Sequence, residues 1–169
     1  MNLEAKLSEY IILKKNKIKI SSKDIKKGDV FIALKGKKNH GNKFIEAAIK
    51  NGAKFCLTDK RNFKQNSKVC YVKDIFEYLK DLAIKKRELY QGKVVGITGS
   101  AGKTTLKETL AYFLKKNYII SYSQKSYNNE LGVLVSILNL NLNSKFSIFE
   151  IGTNNFNEIK YLTKIVKPE

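Results

Sequence analysis

The most constraining feature of the sequence is the segment VVGITGSAGKTTLKETL, residues 94–110. Two β-branched residues lead into a glycine cluster, and a lysine, two threonines and a helix-forming run follow. This order predicts a strand at 94–98, a loop at 99–102 and a helix at 103–116. A glycine-rich segment between a strand and a helix is typical of a phosphate-binding loop.

The residue types in this loop suit a nucleotide. Glycine at 99 and 102 lets main-chain N–H groups turn inward without a Cβ, and the helix adds its positive dipole end. Lys103 would bridge the β- and γ-phosphates, the Thr104 hydroxyl would ligate Mg²⁺, and Thr105 can donate to an adjacent phosphate. The predicted nucleotide-binding residues are Gly99, Ser100, Ala101, Gly102, Lys103, Thr104 and Thr105.

The match to GxxxxGK[ST] is imperfect, because Ile97 stands where the first glycine is expected and the nearer glycines are Gly96 and Gly99. The alternative is a glycine-rich turn between a strand and a helix, with Gly-Lys-Thr there by chance. The strand before the loop and the helix after it favour nucleotide binding.

Glu150 supports the same interpretation independently. It ends an apolar strand predicted at 146–151, at the sheet edge where the loop would also lie in a doubly wound fold. A carboxylate there can hold Mg²⁺ opposite Thr104, directly or through water, and the alternative is a strand-end glutamate facing solvent. We therefore predict Lys103 and Glu150 as catalytic residues, and Thr104 and Glu150 as metal ligands.

Alternating strands and helices predict an α/β fold. We expect a small α/β domain at 1–90, followed at 91–169 by part of a phosphate-loop domain, with a parallel sheet and helices on both faces. The strand FSIFEIG is apolar enough for the sheet centre. A parallel sheet of three strands leaves one side uncovered, so we expect the sequence to be part of a longer protein.

The charge of +18 invites a nucleic-acid interpretation, but only two of the 33 basic residues are arginine. Base recognition favours arginine, and the lysines are spread along the whole chain. A solvated lysine-rich surface is therefore favoured over a nucleic-acid-binding protein, although the charge would still steer anionic substrates.

Cys56 and Cys70 lie in apolar, strand-like contexts, which predicts buried free thiols rather than a redox or metal role. The sequence has no 18-residue apolar run, and its start lacks a signal-peptide pattern. We expect a cytoplasmic protein without membrane insertion.

Three segments, TGSAGKTTLKE (98–108), NNELGV (128–133) and FEIGTNNFNEI (149–159), resemble the Mur ligases of peptidoglycan synthesis. Residues 21–59 resemble the uridine-nucleotide-binding N-terminal domain of that family. Within the family, the forms GSxGKTxxKE and Asn-Asn-x-x-Gly-Val resemble the ligases that join D-alanyl-D-alanine to UDP-MurNAc-tripeptide.

The resemblance implies a ligase that uses ATP and Mg²⁺ to form an amide bond through an acyl phosphate, and we expect a monomer. It places the uridine nucleotide on residues 22, 23 and 35–42. It places Asn128 and Asn129 beside the substrate, near the γ-phosphate. The alternative for the asparagines is a turn before a helix. The predicted substrate-binding residues are Ser22, Lys23, Lys35, Gly36, Asn42, Asn128 and Asn129.

The sequence also departs from the family pattern. Ser21-Ser22-Lys23 stands where relatives read DSR, and His40-Gly41-Asn42 stands where they read DGH, so His40 is either a surface residue or a nucleotide contact. Asn155 replaces a histidine that relatives carry after the metal-binding glutamate.

Length is the largest departure, because Mur ligases have three domains and this sequence ends within the second. If the 169 residues were the whole molecule, we would expect no ligase turnover. The alternatives are a catalytically silent module that binds a UDP-sugar or a nucleotide, and another Mur-type ligase.

Overall fold

The computed structural model describes residues 2–13, 17–36, 39–61, 66–123, 127–152 and 156–169. The chain divides into two compact units, Met1–Leu82 and Ala83–Glu169. Each unit alternates helices with the strands of a parallel sheet, which confirms the predicted α/β class. Among the residues described, no helix is both long enough and apolar enough to cross a membrane.

The first unit has a four-stranded parallel sheet in the order β1-β2-β3-β4. Its central strands β2 and β3 are buried at every position, as expected for strands covered on both faces. Its elements are α1 (Leu3–Leu13), β1 (Ile18–Lys19), β2 (Val30–Ala33), α2 (Ile45–Lys50), β3 (Phe55–Thr58), β4 (Val69–Tyr71) and the start of α3 (Ile75–Leu89).

One cluster of the first unit's core lies between this sheet and α2. Phe31 and Cys56 from the sheet pack with Ile45 and Ala48 from the helix. Both cysteines are buried and unpaired with each other, which confirms the predicted free thiols. Asp74 accepts a hydrogen bond from the N–H of Glu77 at 3.1 Å, so it caps the start of α3.

The second unit has a three-stranded parallel sheet in the order β5-β7-β6. The apolar strand β7 therefore lies in the centre, as its composition predicts. The elements of this unit, after the end of α3, are β5 (Lys93–Ile97), α4 (Lys103–Leu114), β6 (Ile120–Tyr122), α5 (Glu130–Leu138), β7 (Phe146–Glu150) and α6 (Glu158–Val166).

Helices cover both faces of this second sheet. Ala111 of α4 packs with Ile97 and Ile148 on one face. Gly96 points to the opposite face, where an added Cβ would lie 3.3 Å from the side chain of Pro168, just after α6. Because side chains alternate across a strand, α4 and the end of α6 lie on opposite faces.

The two basic residues near the end of α3 are buried inside the second unit. Lys86 donates to the carbonyl of Leu138 at 2.6 Å, and Arg87 donates to the carbonyls of Val166 and Lys167 at 2.7 and 2.8 Å. They cap the carboxyl ends of α5 and α6, where helix carbonyls lack intrahelical partners. The structural units and the predicted domains therefore divide at different points. The two compact units divide between Leu82 and Ala83, within α3, whereas the predicted domain boundary lies after α3, between residues 90 and 91.

Candidate functional site

The glycine loop lies between the end of β5 and the start of α4, as predicted. Gly99 has φ +149° and Gly102 has φ +75°, backbone conformations that L side chains rarely adopt. The helix begins at Lys103, so the first N–H groups of α4 face the loop without intrahelical partners. Ser100 and Ala101 are exposed between the two glycines. This geometry offers N–H donors and a helix dipole to an anion.

The side chains that open α4 divide between the loop and the end of the sheet. Lys103 donates from Nζ to the carbonyl of Gly99 at 2.7 Å, which places its ammonium against the loop. Thr104 donates from Oγ1 to Glu150 Oε2 at 2.9 Å, and Thr105 is exposed. The predicted phosphate lysine therefore lies against the loop, and the predicted metal-binding threonine against Glu150.

Glu150 is the buried centre of the site, with 1% of its surface exposed. In the sheet it lies level with Ile97, the last residue of β5, so both strands deliver their ends to one edge. Its Oε1 accepts a hydrogen bond from Asn128 Nδ2 at 3.0 Å. Burial raises the pKa of Glu150, but hydrogen bonds from Thr104, Asn128 and Lys107 outweigh it and hold this pKa below its ordinary value.

The two predicted asparagines occupy different environments. The carbonyl of Asn128 accepts the N–H of Gly152 at 2.8 Å, and a Cβ on that glycine would lie 2.9 Å from Asn128 Cγ. Asn129 accepts the N–H of Gly132 through Oδ1 at 2.9 Å and caps α5. Asn128 thus reaches the site, whereas the Asn129 side chain serves the helix start. The substrate role of both residues stays a prediction.

Lys107 is a site residue that sequence reasoning missed. It is fully buried, and its Nζ lies 3.4 Å from Glu150 Oε2 and 3.4 Å from Glu108 Oε1. The expectation that the lysines are solvated is wrong for Lys107 and Lys86. No local signal could have found it, because its buried counter-charge, Glu150, is distant in sequence.

The other predicted substrate residues lie at the carboxyl edge of the first unit's sheet. Ser22 and Lys23 form a short 3₁₀ helix, Ser22–Asp24, after β1, and the carbonyl of Ser22 accepts from Asn51 Nδ2 at 2.9 Å. Lys35 and Gly36 follow β2 and are exposed. Neighbouring parallel strands therefore present these residues at one edge, and nucleotide binding by them stays a prediction.

His40 and Asn42 join the loop after β2 to the end of β3. His40 accepts the N–H of Asn42 through Nδ1 at 3.1 Å, so the neutral ring carries its proton on Nε2, which donates to Asp59 at 2.9 Å. Asn42 accepts from the Thr58 hydroxyl through Oδ1. His40 is thus partly buried and held by two partners. Asn155 lies outside the described residues.

Fold and site together define an α/β protein whose parallel sheet carries a glycine loop, a lysine and a buried glutamate at one edge, which is typical of nucleotide-binding proteins. Residues 16–113 match the Mur ligase family, catalytic domain, and residues 97–169 match the Mur ligase middle domain. The chain therefore belongs to the Mur ligase family, and the predicted resemblance is confirmed.

Within the Mur ligase family, the chain is similar to D-alanyl-D-alanine-adding ligases. The UDP-N-acetylmuramoyl-tripeptide–D-alanyl-D-alanine ligase of Rickettsia prowazekii (strain Madrid E) is 38% identical over 154 residues, 90% of this chain and 34% of the relative. The crystal structure of MurF ligase from Thermotoga maritima in complex with ADP is 32% identical with a TM-score of 0.74, covering 95% of this chain and 36% of that one.

A second kind of ligase is also similar. The UDP-N-acetylmuramoyl-L-alanyl-D-glutamate–2,6-diaminopimelate ligase of Wigglesworthia glossinidia brevipalpis is 40% identical over 113 residues, 60% of this chain and 23% of the relative. This chain spans about a third or less of the length of these three relatives.

Proposed function

We propose that the chain is part of an ATP-dependent ligase that joins D-alanyl-D-alanine to UDP-MurNAc-tripeptide. The observation that carries the proposal is the grouping of the glycine loop, Lys103, Thr104 and Glu150 at one sheet edge. The Rickettsia ligase and the ADP-bound Thermotoga ligase support it, because their names state this activity or this class of ligand. The site and its substrates lie in the cytoplasm, where such nucleotide precursors are made.

In the proposed reaction, an oxygen of the substrate carboxylate attacks the γ-phosphorus of ATP and ADP leaves. The amine of D-alanyl-D-alanine then attacks the acyl carbon, phosphate leaves, and the nitrogen loses a proton. The loop N–H groups hold the phosphates, and Lys103 places a positive charge on the transferred group. Such transfer depends on positioning and charge neutralisation.

The residues present fit Mg²⁺. Thr104 Oγ1 and Glu150 Oε2 lie 2.9 Å apart and are oxygen donors, which this hard cation prefers. Among the described residues, no group of three or more His, Cys, Asp or Glu side chains could hold a metal. One carboxylate and one hydroxyl suit Mg²⁺, which keeps several waters and binds substrate phosphates. When bound, Mg²⁺ would neutralise phosphate charge.

The first domain, residues 1–90, would bind the uridine nucleotide, and residues 91–169 would hold ATP. The carboxyl edge of the first sheet supports this division, because it presents Ser22, Lys23, Lys35, Gly36 and Asn42 on neighbouring loops. Loops at that edge are the usual ligand site of open parallel sheets.

Isothermal titration tests both halves of the proposal. We expect the 169-residue chain to bind Mg-ATP and, separately, UDP-MurNAc-tripeptide. Lys103→Ala should abolish ATP binding and leave precursor binding intact, whereas substitution of Lys145, an exposed lysine just before β7, with alanine should change neither. Binding of neither ligand would overturn the proposal.

Similarity to the diaminopimelate ligase favours a second candidate, a Mur ligase that adds a different residue. Binding of UDP-MurNAc-L-alanyl-D-glutamate in preference to the tripeptide precursor would support it. A protein with all three domains that binds nucleotide or UDP-sugar while releasing no phosphate from ATP would be a silent binding module.

A further inference from the structure

Lys107 has no role in the proposed phosphate chemistry, yet it is fully buried beside the site. A lysine is rarely buried unless opposite charges compensate it. Its ammonium lies 3.4 Å from one carboxylate oxygen of Glu150 and 3.4 Å from one carboxylate oxygen of Glu108. The two carboxylates differ in environment, because the side chain of Glu150 is 1% exposed and that of Glu108 is 51% exposed.

One oxygen of Glu150 serves two partners. Its Oε2 lies 3.4 Å from Lys107 Nζ and accepts the Thr104 hydroxyl at 2.9 Å. In the proposed function, Thr104 and Glu150 bind Mg²⁺. The Lys107 ammonium and the metal ion would therefore lie near the same oxygen, Glu150 Oε2. These two positive charges would repel each other.

We propose that Lys107 is a positioning residue. Without the divalent cation, its ammonium takes the place of the cation beside Glu150 and holds that carboxylate. When the cation binds, the ammonium shifts toward Glu108. The inference rests on the metal site of the proposed function. Before metal binding, Lys107 compensates the buried carboxylate and fixes its direction. After metal binding, the half-exposed Glu108 compensates Lys107. Glu108 would thus adjust metal affinity without touching metal or nucleotide.

The Mg²⁺ dependence of ADP binding tests this inference. Titrating the 169-residue chain with ADP, in EDTA and in Mg²⁺, gives two dissociation constants. The constant in EDTA divided by the constant in Mg²⁺ is the ratio that measures the metal contribution. Glu108→Gln should reduce this ratio by about two- to fivefold, the range for a partly exposed ion pair. Lys107→Met should increase the ratio, because it removes the competing cation.

The double variant separates the proposed path from a direct field effect. With Lys107→Met already present, Glu108→Gln should have no further effect on the ratio. Glu88→Gln is a matched control, because Glu88 is 58% exposed and pairs with Lys167 at 3.5 Å in the same unit. It should leave the ratio unchanged.

Thermal unfolding adds a readout that is independent of the titration. Lys107→Met should melt lower than the wild type in EDTA and gain more from Mg²⁺ with ADP, because the metal then compensates Glu150. Lys107→Arg keeps the cation and should behave nearly like the wild type. Should Lys107→Met fail to fold, Glu108→Gln still decides, because Glu108 is half exposed.

An unchanged ratio in Glu108→Gln, or an equal effect of Glu108→Gln with and without Lys107, would overturn the inference and leave the metal site standing. Absence of Mg²⁺-dependent ADP binding in both the wild type and Lys107→Met would overturn the metal site and the inference together.

Discussion

The carboxyl edges of the two parallel sheets resemble each other in topology and differ in chemistry. In the first unit, polar side chains at this edge pair with one another on a partly exposed rim, with His40 bonded to Asp59 and Asn42 to Thr58. In the second unit, the edge holds a buried carboxylate and a buried ammonium, Glu150 and Lys107. Buried charges are costly without partners, so only the second edge depends on charge compensation.

The difference shows that one architecture can present two kinds of polar edge, which the proposed function assigns to different ligands. A partly exposed rim of hydrogen bonds can shape a loop at small cost in free energy, because water still reaches its polar groups. Beside a helix start, a buried charged cluster offers both signs of charge. The positive end of the helix dipole attracts phosphate, and the buried carboxylate attracts a divalent cation. Substitutions that remove one partner from each edge measure this contrast directly.

The largest effect is expected at the buried carboxylate. Glu150→Ala should lower the free energy of unfolding by about 3–5 kcal/mol, because it removes the buried counter-charge of Lys107 and leaves it the half-exposed Glu108. Urea unfolding without nucleotide, followed by circular dichroism, measures the loss. Glu150→Gln is the control, since it keeps hydrogen-bonding atoms near Thr104 and Asn128 and should cost less. A loss in Glu150→Ala no larger than that in His40→Ala would remove the contrast between the edges.

Glycine substitutions give the next effects and compare how each edge constrains its backbone. A Cβ at Gly41 would lie 2.8 Å from the backbone of Ala33 and Leu34, so Gly41→Ala should cost about 1–3 kcal/mol through overpacking. Gly102 has open space but φ +75°, so Gly102→Ala should cost about 1–2 kcal/mol through strain alone. Urea unfolding measures both costs.

Ligand binding distinguishes these two variants further. Only Gly102→Ala should weaken ATP binding, and only Gly41→Ala should weaken binding of the UDP precursor. The opposite pattern of losses would contradict the assignment of ligands to the two edges.

A smaller effect is expected on the rim of the first unit. His40→Ala removes the bond to Asp59 and the acceptor for the N–H of Asn42, and should cost about 1 kcal/mol. His40→Asn is the control, since its oxygen can still accept that N–H. Equal losses in both variants would assign the whole effect to the Asp59 bond.

The smallest effect concerns the two thiols of the first unit, which should not react near neutral pH. Burial raises the pKa of Cys56 to about 12 and that of Cys70 to about 11. Iodoacetamide at pH 8 should therefore modify them only in urea, as mass spectrometry would show. Rapid modification of the folded chain would contradict their burial.

The same pKa values determine a pH dependence of stability. Folding raises both values above the ordinary thiol value of about 8.5. The stabilisation is therefore complete below about pH 8.5 and is lost as pH rises through the folded values. Replacing Cys56 and Cys70 with alanine should reduce the loss of stability between pH 9 and 11, measured by urea unfolding.

Local signals predicted most of the fold. The start of α4 and the central place of β7 follow from glycine positions, caps and apolar runs, which act within a few residues. The helix predicted to reach residue 116 ends at Leu114, because Asn117 and Tyr118 turn back to bond the carbonyl of Leu114.

The sequence by itself determined the α/β class, the glycine loop and the approach of Glu150 to that loop, since parallel strands end at one edge. Only the tertiary structure decided which of the many lysines are buried. Lys107 and Lys86 have the same local pattern as solvated lysines, and their partners Glu150 and Leu138 are distant in sequence. Burial of a charge depends on such long-range partners, which no local pattern records.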